Sequence, residues 1–295
     1  MREKVIGIIG TPDAVKHKYI KHLKFFINPT FKEIISGSKI SSLDGIIILE
    51  YSDNLLWKIV EEDVPILLEI PFAKTLRREV ALLEELVNKD VDVLLPLISR
   101  HHPKLVKLRS FILQGLLGKL ASIHLSMNVA KGCIRREPSG DFNIPGELTH
   151  LLLNIVDYFQ WISSTEINDI TGWIIDDERK MLIVNAKFGG SVASAISYLS
   201  EGACHPSGVD VILEATGFER LLTWDDTEQT LLLRGDNEIK HVWWSADFNE
   251  IIARHFIELL DHGSAKYPLK EVASSYKFML KVLKELRLHK KEGES

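Results

Sequence analysis

The sequence predicts an α/β protein with two parts: a shortened parallel-sheet domain, then an α/β domain with a large, mostly antiparallel sheet. Three observations lead to this class. The first hundred residues alternate fully apolar strands with amphipathic helices, which is typical of a parallel sheet covered on both faces. Later strands follow one another at roughly 8–12-residue spacing with turn signals between them, as in antiparallel sheets. The chain has 295 residues, enough for two domains.

Residues 1–98 are predicted to form the first domain. The strand Val5–Ile9 leads into the loop Gly10-Thr11-Pro12-Asp13, which offers a helix N-cap and a proline in the first helical turn. A helix over 14–22 and a weak strand over 25–27 follow. Three more apolar strands and one charged helix complete the domain: Asp44–Leu49, Val64–Glu69, residues 74–88 (helix) and Val91–Ile98.

Residues 99–295 are predicted to form the second domain. It opens with a helix over 103–114 and a strand over 119–129, and a further helix spans 145–162. Seven strands are predicted next, over 172–175, 181–188, 192–199, 209–216, 220–224, 230–233 and 239–243, before two closing helices over 248–261 and 269–288. The first half is therefore Rossmann-like, and ligands of such sheets bind at the carboxyl ends of the parallel strands.

Composition and charge exclude several classes of protein and of binding partner. The chain is 45% hydrophobic and 26% charged, which excludes collagen-like, disordered and disulfide-scaffold proteins. Its formal net charge of −5 argues against nucleic acid or an anionic membrane as a partner. The N-terminus enters a strand without a signal-peptide pattern, and no apolar run approaches the ~20 residues of a membrane span. Cys133 and Cys204 are isolated, so we expect a reduced cytoplasmic protein with inert thiols.

An ordered set of short motifs runs along most of the chain. These motifs are Val5–Gly10, Asp44–Leu49, Leu68–Ala73, Arg100 followed by Pro103, Gly115–Lys119, and the 146–161 helix with Asp157-Tyr-Phe-Gln-Trp161. In order and spacing the set resembles the glucose–fructose oxidoreductase, inositol dehydrogenase and MocA family (Gfo/Idh/MocA). The resemblance implies an NAD(P)-dependent sugar or cyclitol oxidoreductase, and a dimer or tetramer that packs through the C-terminal sheet.

The dinucleotide loop departs from the family pattern. Of the glycines in G-x-G-x-x-G, only Gly10 is present. Pro12 removes a backbone N–H, and Asp13 puts negative charge where a phosphate would bind. Two interpretations stay open: a plain turn capped by Asp13, or a dinucleotide bound in an altered way. For the second, the resemblance implies Gly10, Thr11, Glu69 and Pro71 as cofactor-binding residues.

The spacing after this loop gives a second departure. Only 33 residues separate Gly10 from Asp44, whereas a βαβ unit needs roughly 30 or more and a mononucleotide-binding half needs a further helix. Asn28-Pro29 follows the weak strand, at the place where a dehydrogenase carries an acid or arginine for the adenosine ribose. The sequence therefore predicts that the ribose-binding edge of the sheet is shortened or absent.

Two acid–base positions of the family are also changed. The E-K-P tripeptide is Glu69-Ile70-Pro71 here, and isoleucine cannot exchange a proton. In the family a histidine precedes an aspartate by three residues on a helix of the second domain. Alignment on Asp157 puts Asn154 at the histidine position, with His150 one turn earlier. An asparagine can hydrogen-bond a sugar hydroxyl but cannot act as a general base.

His150, Asn154, Asp157 and Trp161 share one face of an otherwise apolar helix. This polar stripe either faces solvent or lines a polar ligand cleft, and its spacing does not make a metal site. Under the second interpretation Asp157, His150 and Asn154 are the catalytic candidates, and Arg100, Asn154 and Asp157 are the substrate-binding candidates. Arg100 follows a parallel strand, although a helix-capping or interface role fits it equally well.

The sequence thus predicts a divergent homologue that has lost or altered hydride transfer, holds no cofactor, and keeps a cleft for a sugar-like ligand and a homo-oligomer scaffold. Two alternatives remain. One is an active sugar or cyclitol dehydrogenase that uses NAD or NADP at a rearranged site. The other is a structural pseudoenzyme that assembles with an active paralogue.

Overall fold

The computed structural model describes residues 3–10, 16–34, 39–49, 53–130, 146–175, 181–200, 209–225, 230–235, 238–243, 247–263, 265, 267–285 and 287–289. The chain forms two compact units. The first contains Met1–His101 and Ala246–Tyr276, and the second contains His102–Ser245 and Lys277–Ser295. These units are defined by contacts, whereas the predicted domains are contiguous stretches. The division at residue 98 stays a prediction.

A five-stranded parallel sheet forms the centre of the first unit, as predicted. Its strand order is β2-β1-β3-β4-β5. Every neighbouring pair is parallel. The strands are β1 (Glu3–Ile9), β2 (Asn28–Glu33), β3 (Gly45–Ile48), β4 (Ile66–Leu68) and β5 (Val93–Leu94). β3 and β4 are buried along their whole length, which explains why each is a continuous apolar run in the sequence.

Eight α-helices are present in the described part of the chain, preceded by one π-helical turn at Lys16–Ile20. In chain order they are α1 (Lys21–Phe26), α2 (Asp53–Val60), α3 (Leu76–Asn88), α4 (Ile98–His101), α5 (Pro103–Leu113), α6 (Gly146–Ser163), α7 (Phe248–His262) and α8 (Leu269–Glu285). None of the helices in the described residues has the length and apolarity needed to cross a membrane.

Helix α7 completes the core of the first unit although it lies far along the chain. Its buried residues Ile252, Phe256 and Leu259 join a core cluster with Ile6 and Leu67 of the sheet. The approach is close, because a Cβ on the β3 residue Gly45 would overlap the side chain of Leu260. Asp247 begins the helix by accepting a hydrogen bond from the N–H of Asn249 at 2.9 Å.

Three sequence predictions in the first unit are wrong in detail. The second strand lies at Asn28–Glu33 and not at 25–27, because helix α1 continues to Phe26. A proline in this strand is tolerated because β2 is an edge strand. The strand predicted to reach Ile98 ends at Leu94, and Ile98 already begins α4. The helix predicted at 14–22 starts as a π-helical turn within the described residues.

A nine-stranded sheet forms the second unit, in the order β13-β12-β11-β10-β6-β9-β8-β7-β14. It is mostly antiparallel, as predicted, with parallel pairing between β6 and β9 and between β7 and β14. The strands are β6 (Leu120–Ala130), β7 (Ile167–Ile175), β8 (Met181–Phe188), β9 (Ser191–Ser200), β10 (Val209–Gly217), β11 (Leu221–Asp225), β12 (Thr230–Gly235), β13 (Glu238–Trp243) and β14 (Arg287–His289). The sequence pattern did not predict β14.

The two faces of this sheet differ in burial. Along β9 buried and less buried residues alternate, so one side chain in two points to each face. Helix α6 is buried against the strands β7, β8 and β9. On the other face, five large apolar side chains remain exposed: Trp173, Val192, Ile196, Tyr198 and Ile212. We call this group the open-face patch.

Candidate functional site

The carboxyl edge of the parallel sheet carries the residues with most functional potential. Gly10 ends β1 with a φ of 134°, a conformation that L side chains rarely adopt, so the glycine is required for the turn. Glu33 ends the neighbouring strand β2 opposite Ile8, and its side chain is exposed. The sequence predicts that this edge is shortened or absent. In the described residues the sheet ends at β2, and this edge strand carries an acid at its carboxyl end.

Glu69, directly after β4, is the centre of a small polar cluster. Its Oε1 atom accepts a hydrogen bond from Lys18 Nζ at 2.7 Å and another from the Tyr19 hydroxyl. Lys18 Nζ also lies 5.3 Å from the centre of the Tyr19 ring. The π-helical turn supplies both donors. The cluster thus places an ammonium, a phenol and a carboxylate together at the carboxyl end of β4.

The segment after Glu69 is fixed by one backbone hydrogen bond and one aromatic contact. The Ile70–Pro71 peptide bond is cis. The backbone N–H of Phe72 donates to Glu79 Oε1 at 2.8 Å, and the Phe72 ring packs against Tyr276. Ile70 brings no titratable group to this edge. The cofactor roles predicted for Glu69 and Pro71 stay predictions, and Thr11 lies outside the described residues.

Arg100 lies in the short helix α4, which follows β5. Its guanidinium is 2% exposed, and Nη1 pairs with Glu271 Oε2 of α8 at 3.1 Å. This contact matches the structural alternative for Arg100, since the pair links two elements of the same unit. The substrate-binding role of Arg100 stays a prediction.

The next residue forms a buried histidine pair. His101 Nδ1 lies 2.8 Å from His255 Nδ1, and His101 Nε2 lies 3.0 Å from the carbonyl oxygen of Leu95. Because a carbonyl only accepts, His101 Nε2 carries a proton and donates it to Leu95. One of the two Nδ1 atoms donates to the other. The pair ties α4 to α7 within the first unit.

His102 directly precedes α5 in the second unit, and its ring centroid lies 5.0 Å from that of the buried Trp224 ring. Burial, and secondly the charge of Lys104, lower the pKa of His102 to about 4. The imidazole is therefore neutral at pH 7.

The polar stripe of α6 does not face solvent as a whole. Asp157 has no exposed surface and Trp161 is 4% exposed. Arg109 of α5 donates to the Trp161 carbonyl at 2.8 Å and lies 4.8 Å from its ring, so this end of the stripe serves helix packing. Asn154 is half-buried. The catalytic roles predicted for Asp157, Asn154 and His150 stay predictions, and the side chain of His150 lies outside the described part of the structure.

Glu33 and Lys18 are candidates that the sequence pattern did not single out. Glu33 had a usable signal, because an acid about 20 residues after the first glycine typically marks the ribose contact. Lys18 had none, since its contact with Glu69 joins residues 51 apart in sequence. Cys133, Cys204 and the loop residues 11–13 lie outside the described residues.

The fold is similar to that of several solved dehydrogenases. A levoglucosan dehydrogenase in complex with NADH and L-sorbose is 13% identical, with a TM-score of 0.76 and 97% of each chain covered. UDP-N-acetylglucosamine 3-dehydrogenase GnnA from Acidithiobacillus ferrooxidans is 12% identical, with a TM-score of 0.73, covering 97% of this chain and 98% of that one. Dehydrogenase (MviM) from Clostridium difficile is 12% identical, with a TM-score of 0.69, covering 94% and 98%. The sequence matches no protein-family model and no curated protein.

Identities of 12–13% establish the fold and leave the chemistry open. Nearly the whole of each chain is aligned. The chain therefore has the fold of the Gfo/Idh/MocA oxidoreductases, as the resemblance of its motifs predicted.

Proposed function

We propose that the chain is an oxidoreductase that binds a nicotinamide dinucleotide along the carboxyl edge of its parallel sheet, with an altered acid–base group. The observation that carries this proposal is the exposed Glu33 at the end of β2. This proposal takes up the alternative in which NAD or NADP binds at a rearranged site, because the edge strand that would carry the ribose contact is present.

The described residues fit one half of such a dinucleotide. A carboxylate at the end of β2 can accept hydrogen bonds from the two hydroxyls of an adenosine ribose. Gly10, at the end of the adjacent β1, permits the tight turn that a phosphate-binding loop needs. The bound dinucleotide would supply or accept a hydride.

The acid–base chemistry must differ from that of the family. The resemblance places a lysine where this chain has Ile70 and a histidine where it has Asn154. Neither the isoleucine nor the asparagine side chain can transfer a proton. A polar alcohol or ketone of the sugar type is the proposed substrate, supported by three solved neighbours that are named as dehydrogenases, two of them of sugar substrates.

Cofactor choice tests the proposal. The Glu33 carboxylate binds the free 2′-hydroxyl of NADH and repels the 2′-phosphate of NADPH. We expect NADH to bind at micromolar concentration and at least about tenfold more tightly than NADPH, a difference of about 1.4 kcal/mol. Energy transfer from tryptophan to the reduced nicotinamide measures both affinities. Absence of binding by either dinucleotide would contradict the proposal and favour the scaffold alternative.

We also propose that the partner is a second copy of the chain, bound through the open-face patch. Five of the eight exposed large apolar side chains in the described residues lie on this face. Asp169 and Lys187 are register partners on β7 and β8 beside the patch, so this part of the face presents both signs of charge to a second copy. Both residues line a depression of about 320 Å³ on the same face.

A further inference from the structure

We propose that Lys18 is the acid–base group of this site, giving a proton to the oxygen of a substrate ketone or taking it from that of an alcohol. The inference rests on the proposed function and extends it to a catalytic residue. It starts from the cluster of Lys18, Tyr19 and Glu69 at the carboxyl end of β4.

The position of the cluster along the sheet edge is the first argument. Glu33 is the last residue of β2 and Glu69 follows β4, and β1 and β3 lie between these two strands. Three strand spacings of about 4.8 Å separate these ends by about 14 Å. A molecule made of two nucleosides joined by a pyrophosphate is extended enough to bridge that distance. With its adenosine ribose at Glu33, its other nucleoside reaches the end of β4.

Exposure selects Lys18 within the cluster. Tyr19 has no exposed surface, and the Glu69 side chain is 11% exposed, whereas the Lys18 side chain is 21% exposed. A ligand at this edge therefore meets the ammonium before it meets the phenol or the carboxylate. Glu69 is a positioning residue, because its Oε1 holds Nζ at 2.7 Å.

The Lys18 ammonium can supply the acid–base group that Ile70 and Asn154 lack. An ammonium has three N–H donors, and the bond to Glu69 uses one of them. In the reducing direction an N–H bond of Lys18 breaks and a new O–H bond forms on the substrate oxygen. A bound dinucleotide would supply the hydride that the carbonyl carbon accepts. In the oxidising direction the alcohol proton passes to the Lys18 amine. Solvent exchanges the proton at Nζ between turnovers.

A purely structural ion pair is the competing explanation, and three substitutions separate the two. Lys18→Arg keeps a cation that can pair with Glu69, but a guanidinium does not release its proton in proteins. Lys18→Met removes both functions. Lys24→Met is the matched control, because Lys24 is an exposed lysine of the adjacent helix α1. All three should bind NADH as the wild type does.

Two measurements decide the proposal. Turnover of a sugar and polyol panel should fall by about 100-fold or more in both Lys18 variants, the usual contribution of a general acid or base, and stay unchanged in Lys24→Met. Reductive methylation with ¹³C-formaldehyde keeps the lysine charge and gives each lysine an NMR signal. Saturating NADH should move the Lys18 signal, assigned by its loss in Lys18→Met, and leave the Lys24 signal in place.

The possible failures are distinguishable. If NADH binds and the Lys18 signal does not move, the proposal is overturned and the proposed function stands. The proposal is overturned in the same way if Lys18→Arg turns over like the wild type. If NADH does not bind at all, the proposed function fails and Lys18 loses its role with it. The NMR measurement decides even when no alcohol of the panel is a substrate.

Discussion

Single residues with unusual surroundings determine both the chemistry and the pH behaviour of this chain. At the carboxyl edge, Glu33 is open to solvent while Glu69 is already bonded to Lys18 and Tyr19. Of the two carboxylates on this sheet edge, one is therefore accessible to a ligand and the other holds a neighbouring side chain. Surroundings also determine the charge of His102, because burial lowers its pKa and keeps the imidazole neutral.

His102 should make the protein less stable in mild acid. Its pKa in the folded protein is about 4, below the ordinary value of about 6.5 in the unfolded chain. The folded state thus holds fewer protons, and stability is lost as the pH falls from 6.5 towards 4. Between pH 7 and pH 5 we expect a loss of about 2 kcal/mol that is absent in His102→Gln. Denaturant unfolding at both pH values measures it, and equal losses in the two proteins would refute the assignment.

At the scale of elements, helix α7 shows how a distant segment is fixed to the parallel sheet. The Asp247 side chain caps its first turn and also lies 3.3 Å from His22 Nε2 and 3.8 Å from Lys21 Nζ of α1. Gly263 ends the helix with a φ of 63°, a conformation that favours glycine. The cap and the contacts of Asp247 with α1 together position α7 on the core of the first unit.

Substitutions at Asp247 separate the cap from the charge. Asp247→Asn keeps a side-chain oxygen for the cap and loses the ion pairs, whereas Asp247→Ala loses both. We expect Asp247→Ala to destabilise the protein by about 1 kcal/mol, the usual cost of a lost N-cap, and Asp247→Asn by less. Thermal melting of the two variants at pH 7 gives the comparison. Equal destabilisation would show that the ion pairs, and not the cap, carry the effect.

The elements also show what the sequence can predict. β3 and β4 are buried on both faces, so their apolar runs identified them. β2 is an edge strand with the partly exposed sequence Asn-Pro-Thr-Phe-Lys-Glu, so it lacks that signal. The sequence pattern predicts this strand at residues 25–27, which belong to the end of α1 and the residue after it. The cluster at Glu69 could not be predicted, because local patterns do not report a contact across 51 residues. Burial of Asp157 depends on tertiary packing in the same way.

At the scale of the whole molecule, the open-face patch is the feature that most needs a partner. Large contiguous apolar surfaces commonly mark interfaces, and Ile196 and Tyr198 lie on β9, an interior strand between β6 and β8. A two-fold arrangement buries the same surface on both copies and so needs no second kind of chain.

A charge at the centre of the patch should dissociate the assembly. Ile196 is 49% exposed, and Ile196→Lys would bury an ammonium in the interface without disturbing the sheet of one copy. We expect the wild type to sediment as a dimer or larger, and Ile196→Lys to shift towards the monomer by about tenfold or more in Kd. Leu113→Lys, at an exposed apolar residue of α5, is the control. A monomeric wild type would contradict the proposal.

Binding of a nicotinamide dinucleotide with its adenosine ribose at Glu33 underlies both the proposed activity and the role of Lys18, and calorimetric titration of NADH measures it without a substrate. We expect micromolar binding to the wild type. Glu33→Ala should bind about tenfold to 100-fold more weakly, because a hydrogen bond to a charged group contributes about 1.5–3 kcal/mol. Glu61→Ala, at an exposed acid in the turn after α2, should bind as the wild type does. No measurable binding by the wild type, or equal affinity of the wild type and Glu33→Ala, would contradict a dinucleotide site at this edge.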